Sequence, residues 1–232
     1  MKITITGATK GIGRAIAEKF AANGFDIAVC ARTEPDLASF KQTFQEKYGV
    51  EVLTRATDMS KKADVQAFAD FVKKQWGGVD VLVNNAGIFR PGEISSEPEG
   101  QLESQIETNL YSAYHFTRAM LPAMLEKGSG HIFNMCSIAS IIAYPNGGSY
   151  SISKFAMLGF SKVLREELKS KGIKVTAVLP GATWSDSWAG ADFPHSRLMD
   201  AEDIALAVWS AWQMGPSAVV EEILVRPQLG DL

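Results

Sequence analysis

Thr6-Gly7-Ala8-Thr9-Lys10-Gly11-Ile12-Gly13 follows the apolar run Lys2–Thr6 and opens directly into a stretch of helical period over 12–23. A short apolar run bounded by a turn reads as a buried strand, so the order is strand, glycine-rich turn, helix. Three glycines at such a junction let the backbone approach a ligand closely. They also present helix N-terminal amides to an anion such as a pyrophosphate. The spacing here is G-x-x-x-G-x-G. The first strand begins next to Met1, leaving no room for a secretory leader, so a soluble protein of the cytoplasm is expected.

Working outward, the run Asp26–Ala31 closes a first β-α-β unit and ends Cys30-Ala31-Arg32. A site for NAD usually places an acid at this point for the ribose hydroxyls, whereas an arginine suits a 2′-phosphate. No acid is present, and Lys10 adds a second positive charge in the glycine turn. Either Arg32 and Lys10 are solvated surface charges or they face that phosphate. The second reading makes NADP, rather than NAD, the expected cofactor.

The same alternation continues. Further strands are predicted over 50–55, 79–84, 130–136, 173–179 and Glu222–Val225, and helices over 36–48, 61–75, 99–126, 149–171 and 201–214. Glycines at 24, 49, 77, 128 and 172 stand where those helices end. The strands are almost continuously apolar, as in parallel sheets covered on both faces. The pattern predicts an α/β fold, a doubly wound seven-stranded parallel sheet of Rossmann type with helices on both faces. No repeat or linker divides the chain, so residues 1–232 are expected to form one domain.

Composition narrows the function. A net charge of −3 and a pI near 5.7 provide no basic field for nucleic acid or anionic lipid. No window approaches the apolar length of a membrane span. His115, His131 and His195 are too far apart in sequence to suggest a metal site. Cys30 and Cys136 lie within apolar runs and read as buried thiols.

Downstream of the glycine turn come Asn84-Asn85-Ala86-Gly87, Ser137, Tyr150-x-x-x-Lys154 and Pro180-Gly181, with Tyr150 13 positions after Ser137. Together with the turn, these motifs in this order resemble the short-chain dehydrogenase/reductases over nearly the whole chain. The resemblance implies hydride transfer between a nicotinamide and a carbonyl or secondary alcohol. Tyr150 is then the acid/base, Lys154 lowers its pKa and holds the nicotinamide ribose, and Ser137 donates to the substrate oxygen, with Ser140 a less favoured stand-in. Asn109 is the fourth catalytic residue, interrupting its helix and holding a water that links Lys154 to solvent. A tyrosine and a lysine four apart share a helix face, and a nearby ammonium favours the phenolate.

The resemblance also implies a cofactor site. Its residues are Gly7, Thr9, Lys10, Gly11, Ile12 and Gly13 in the turn, Arg32, Asp58, Asn85, Ala86 and Gly87, then Tyr150, Lys154, Pro180, Gly181, Thr183 and Ser185. Asp58 either contacts the adenine or caps the helix near Lys61, two compatible readings. Ser185 stands where the family usually has threonine, and Thr183 is placed to offer its backbone to the carboxamide.

A substrate-covering loop is expected at about 183–200. Trp184, Trp188 and Phe193, shaped by Gly190 and Pro194, either line an apolar pocket or pack on the next helix. Ile138, Tyr144 and Pro145 form another wall, suggesting an apolar or aromatic carbonyl. The tail from Arg226 is similar to that of sepiapterin-reductase-like and bacterial carbonyl-reductase members. Tyr111, Tyr114, Phe155, Leu158 and Phe160 extend beyond one apolar stripe, so a homodimer or homotetramer is expected. The alternatives to an NADPH-dependent reductase are an NAD-dependent alcohol dehydrogenase and a non-catalytic NADP-binding sensor or scaffold. Such a sensor would not need all four of Tyr150, Lys154, Ser137 and Asn109.

Overall fold

The apolar runs pair as parallel strands because crossover helices cover both faces of the sheet they build. The computed structural model describes residues 1–184 and 194–230. Its strands are β1 (Lys2–Thr6), β2 (Asp26–Ala31), β3 (Val52–Ala56), β4 (Val81–Asn84), β5 (Gly130–Met135), β6 (Ile173–Pro180) and β7 (Glu222–Val225). They form one seven-stranded sheet in the order β3-β2-β1-β4-β5-β6-β7, with every pair parallel. The order reverses between β1 and β4, which opens a crevice beyond the carboxyl ends of the strands.

The helices are α1 (Gly11–Ala21), α2 (Glu34–Tyr48), α3 (Lys62–Trp76), α4 (Gln101–Ile106), α5 (Ser112–Lys127), α6 (Gly148–Leu168) and α7 (Ala201–Trp212). Period-two alternation along the strands divides the core into two layers. Ile3, Ile5, Val29, Val83 and Phe133 pack with Phe20 and Ile16 of α1, Phe40 of α2 and Val208 of α7. Ala28, Leu82, Ile132 and Val175 pack on the other face with Phe68 of α3, Phe116 of α5 and Leu164 of α6.

The structure corrects several predicted boundaries. The strand predicted over 50–55 runs Val52–Ala56, and that over 79–84 starts at Val81. Helix 149–171 ends at Leu168 and finishes as a 3-10 turn, Lys169–Lys171. The helix predicted over 99–126 is broken by a π-turn, Glu107–Tyr111, between α4 and α5. Hydrophobic period cannot reveal the extra residue that a π-turn inserts. Gly49 and Gly128 end α2 and α5 in the left-handed region (φ 67° and 66°), where a Cβ would be strained.

Both cysteines are free and buried, and burial pushes the Cys30 thiol up to about 12. Among the described residues no helix is long and apolar enough to cross a membrane, and no group of three or more His, Cys, Asp or Glu is arranged around a metal. Of the five residues expected on a second apolar face, Tyr111, Tyr114 and Phe155 are exposed. Leu158 is buried in the core and Phe160 is partly buried against it, which corrects their assignment to that face.

Candidate active site

Parallel pairing brings the ends of β1, β2, β4, β5 and β6 to one edge, and the predicted site residues follow them there. In the glycine turn, Gly7 and Gly11 adopt φ of 66° and 54°. Asn85 pins the turn from β4. Its Nδ2 donates to the carbonyls of Thr6 (2.9 Å) and Gly7 (2.8 Å), while the Thr6 hydroxyl accepts from the backbone N–H groups of Asn85 and Ala86, both at 3.0 Å. A Cβ on Gly13 would lie 2.4 Å from that Nδ2, so the close packing of turn on strand end requires glycine. The Asn85 side chain is therefore a clamp on the turn.

Helix α1 starts with an extended Lys10 and no side-chain cap, so its first-turn amides are not satisfied by a side chain of its own. Arg32 is exposed at the end of β2, and its charge reaches Asp58 at the end of β3. Asp58 accepts from both the hydroxyl (2.7 Å) and the backbone N–H (3.1 Å) of Ser60. The Ser60 hydroxyl is the main reason its carboxyl is held below the usual range, with Lys61 and Arg32 assisting. Asp58 thus closes the turn before α3. The α3 N-cap itself is Lys61, which corrects the expectation that Asp58 caps that helix directly. Two glycines with positive φ, an uncapped helix start and an exposed arginine form a donor set suited to a phosphorylated dinucleotide.

The reaction end is built on β5 and α6. Ser137 caps the 3-10 turn Ile138–Ser140, its Oγ accepting from Ala139 N at 3.1 Å. The Ser140 hydroxyl accepts from Ser137 N at 3.2 Å, so Ser140 braces Ser137. Tyr150 and Lys154 project from the first turns of α6, with the Lys154 Nζ 5.8 Å from the Tyr150 ring centroid and 2.9 Å from the Met135 carbonyl. Burial pushes the Tyr150 pKa up, opposed by a hydrogen bond from Ser137, and burial lowers that of Lys154. That upward push runs against the lowering expected from the i, i+4 pair. Spacing brings an ammonium near the phenol, but here the lysine is buried, the tyrosine is partly buried, and the lysine donates to a neutral carbonyl.

Asn109 lies in the π-turn, almost fully buried. Its Nδ2 donates to the Ile88 carbonyl (3.0 Å) and to Ser153 Oγ (2.9 Å), and its Oδ1 accepts from Ile88 N (2.7 Å). A Cβ on Gly87 would stand 3.2 Å from Asn109 Oδ1 and 3.7 Å from Lys154 Nζ, which accounts for the glycine after Asn85-Ala86. Near Pro180, Gly181 N donates to Val225 O, and Thr183 makes an isolated bridge with Met199. That rung uses the Ala182 carbonyl and the Trp184 N–H, so the peptide groups of Thr183 itself face the other side. Ser185, Trp188, Gly190 and Phe193 lie outside the described residues. Ile138 is half-buried, and Tyr144, Pro145 and Trp184 are exposed.

Several contributors lie outside the predicted site residues. Asn84 Nδ2 donates to Thr117 Oγ1 and Asn134 Oδ1, both at 2.8 Å, and Asn134 donates to Ser161 Oγ at 2.9 Å, a buried network tying β4 and β5 to α5 and α6. Besides Asn84 in its motif, the sequence signal is Asn134, which with His131 interrupts an otherwise apolar strand. Glu97 caps α6 from outside, accepting from the Ser149 hydroxyl and from Ser149 N (3.3 Å), while Gln101 donates to it at 2.9 Å. Nothing local in the sequence marks that acid.

Residues 1–192 match the model of the short chain dehydrogenase family. The chain is 34% identical over 238 residues to a sepiapterin reductase of Chlorobaculum tepidum, covering 99% of this chain and 97% of that protein. Its fold is similar to an alcohol dehydrogenase from the archaeon Thermococcus sibiricus complexed with 5-hydroxy-NADP (TM-score 0.91, 28% identity, 100% of this chain and 98% of the other). It is also similar to the L-sorbose reductase of Gluconobacter frateurii complexed with NADPH and L-sorbose (TM-score 0.88, 28% identity, 97% and 95% covered).

Proposed function

The chain belongs to the short chain dehydrogenase family, and from that premise we propose that it is an NADPH-dependent reductase of small carbonyl compounds, with Tyr150 as acid/base. The observation that carries the reading is the cluster of Tyr150, Lys154 and Ser137 at the carboxyl edge of β5, beside Asn109 and Gly87. When bound, the nicotinamide supplies the hydride. Charge then builds on the carbonyl oxygen, which Ser137 stabilises by hydrogen bonding and Tyr150 neutralises with its proton. A raised Tyr150 pKa keeps the phenol protonated, the form that reduction consumes. Lys154 holds the nicotinamide ribose, and Asn109 fixes the segment beyond β4 against α6. Thr9, Lys10, Gly11, Ile12, Arg32, Asp58, Asn85, Ala86, Gly181 and Thr183 would hold the rest of the dinucleotide, with the charges of Arg32 and Lys10 serving the 2′-phosphate. The NADP and NADPH in the two similar structures support this choice over NAD.

We further read residues 1–232 as one catalytic domain, working in the cytoplasm, where free thiols such as Cys30 and Cys136 persist. The exposed side chains of Tyr111, Tyr114, Ile152, Phe155 and Val163 on α5, α6 and the π-turn support a homo-oligomer. The central test pairs NADPH binding with reduction of a carbonyl panel by wild type and Tyr150→Phe. Turnover should fall by about 10²–10⁴ with NADPH affinity retained. Full activity in the variant would refute the acid assignment.

A further inference from the structure

Phe89 is 45% exposed, and buried side-chain amides hold the peptide groups of the residues on either side of it. On one side, Asn109 bonds both the N–H and the carbonyl of Ile88. On the other, Gln105 does the same for Arg90, accepting from its N–H (3.2 Å) and donating to its carbonyl (3.3 Å). Gln101 adds donations to the carbonyls of Arg90 (3.5 Å) and Pro91 (3.4 Å). Residues 101, 105 and 109 are spaced by four along α4 and the π-turn, and all three amides are buried. Side-chain amides thus pair with the loop as a neighbouring strand would. Phe89 is presented between two two-point clamps.

The clamped ring is directed at the reacting hydroxyl's own side chain. Phe89 meets Tyr150 edge to face, with centroids 4.8 Å apart and planes at 79°. The segment between Ser137 and Tyr150 adds Ile141, Ile142 and Tyr144, each exposed by about 40%. A protein leaves large apolar side chains in water beside a reaction centre at a cost in stability, unless a ligand covers them. Fixing an aromatic ring in advance removes the ordering penalty when that ligand arrives. A carboxylate, that of Glu97, is held at Ser149, next to Tyr150, where it disfavours an anionic group.

We propose that Phe89 is a specificity-determining residue, the preorganised wall on which an aromatic or bulky apolar substituent of a neutral carbonyl substrate packs. The assignment rests on the reductase reading above and deepens it by naming the substrate class. It requires no contribution from Phe89 to the chemistry or to cofactor binding.

The test compares kcat/KM for phenylacetaldehyde and acetaldehyde, whose carbonyls are alike and whose substituents differ by one phenyl ring. Wild type, Phe89→Ala, Phe89→Leu and Gln105→Ala are assayed with NADPH, alongside NADPH affinity and thermal midpoint. Phe89→Ala should lose about ten- to hundredfold for phenylacetaldehyde and less than about threefold for acetaldehyde, the scale on which an apolar pocket discriminates. Phe89→Leu should keep most of the preference. Gln105→Ala, which frees the loop without altering the ring, should raise KM for the aromatic aldehyde with NADPH affinity unchanged. An unchanged ratio of the two aldehydes in Phe89→Ala, with wild type active, overturns the role of Phe89 and leaves the reductase reading intact. If wild type binds NADPH but reduces neither aldehyde nor any other carbonyl, the reductase reading fails and this assignment fails with it.

Discussion

The Asn109 carboxamide grips Ile88 in both directions, accepting from its N–H at 2.7 Å and donating to its carbonyl at 3.0 Å. The residue expected to handle a relay water therefore has its two N–H donors bonded to Ile88 and Ser153.

Asn109→Ala strands the Ile88 peptide groups in a partly buried place, which costs about 1–3 kcal/mol. For a chain of this size the thermal midpoint should drop by roughly 3–10 °C. Because the clamp lies against Gly87 and Lys154, turnover should fall more than tenfold even well below that midpoint. Differential scanning calorimetry and steady-state kinetics on one sample check both.

Arg32→Ala should weaken NADPH binding by about 10- to 100-fold, the scale of one charge-assisted contact, and leave NADH nearly unaffected. Titrations with both nucleotides decide it. Equal losses for the two would place Arg32 away from the 2′-phosphate.

Burial holds the Tyr150 hydroxyl above the usual tyrosine range, so the phenol is the resting form at neutral pH. Reduction uses that form, and its rate should stay flat from about pH 6 to 9 and decline only as the proton is lost. Alcohol oxidation needs the phenolate and should climb close to tenfold per pH unit over the same range. An oxidation profile that levels off near pH 7 would mean that the assembled site depresses the tyrosine after all.

His131 sits fully buried in β5, with Nε2 2.7 Å from the Thr176 hydroxyl. That hydroxyl gives its single proton to the Val220 carbonyl at 2.5 Å, so Nε2 must be the donor and Nδ1 is left bare. Burial pushes the imidazole pKa down to about 3 from 6.5. A lowered folded pKa means that the unfolded chain takes the proton first. The stability from this group is complete above pH 6.5 and erodes as pH falls toward 3, by about 1.4 kcal/mol per unit. Urea midpoints between pH 7.5 and 5 should slope downward in the wild type and flatten in His131→Phe, whose ring can still stack on Phe133.

Much of this molecule is legible in its residues because the strands are nearly pure apolar runs and the helices end in glycine. Motif order then places Ser137, Tyr150 and Lys154 at one sheet edge, since parallel strands all finish on the same side. What stays hidden depends on partners distant in sequence. Gln101 and Gln105 look like ordinary helix surface, and only the path of residues 88–91 turns them inward. Glu97 resembles any loop acid until α6 starts beside it. The tyrosine's acidity is hard to read for the same reason: spacing reports which groups are neighbours, whereas acidity also depends on how much water surrounds them.

The rung between Thr183 and Met199 closes a clasp, with Trp184 N–H and Ala182 C=O both bonded to Met199. Both bonds of that rung use backbone groups, so the closure itself asks for no particular side chain at Thr183 or Met199. That makes the interval a natural exchange cassette. A segment of different length from a related enzyme, grafted inside the clasp, should alter which molecules are accepted while β6 and α7 keep their places.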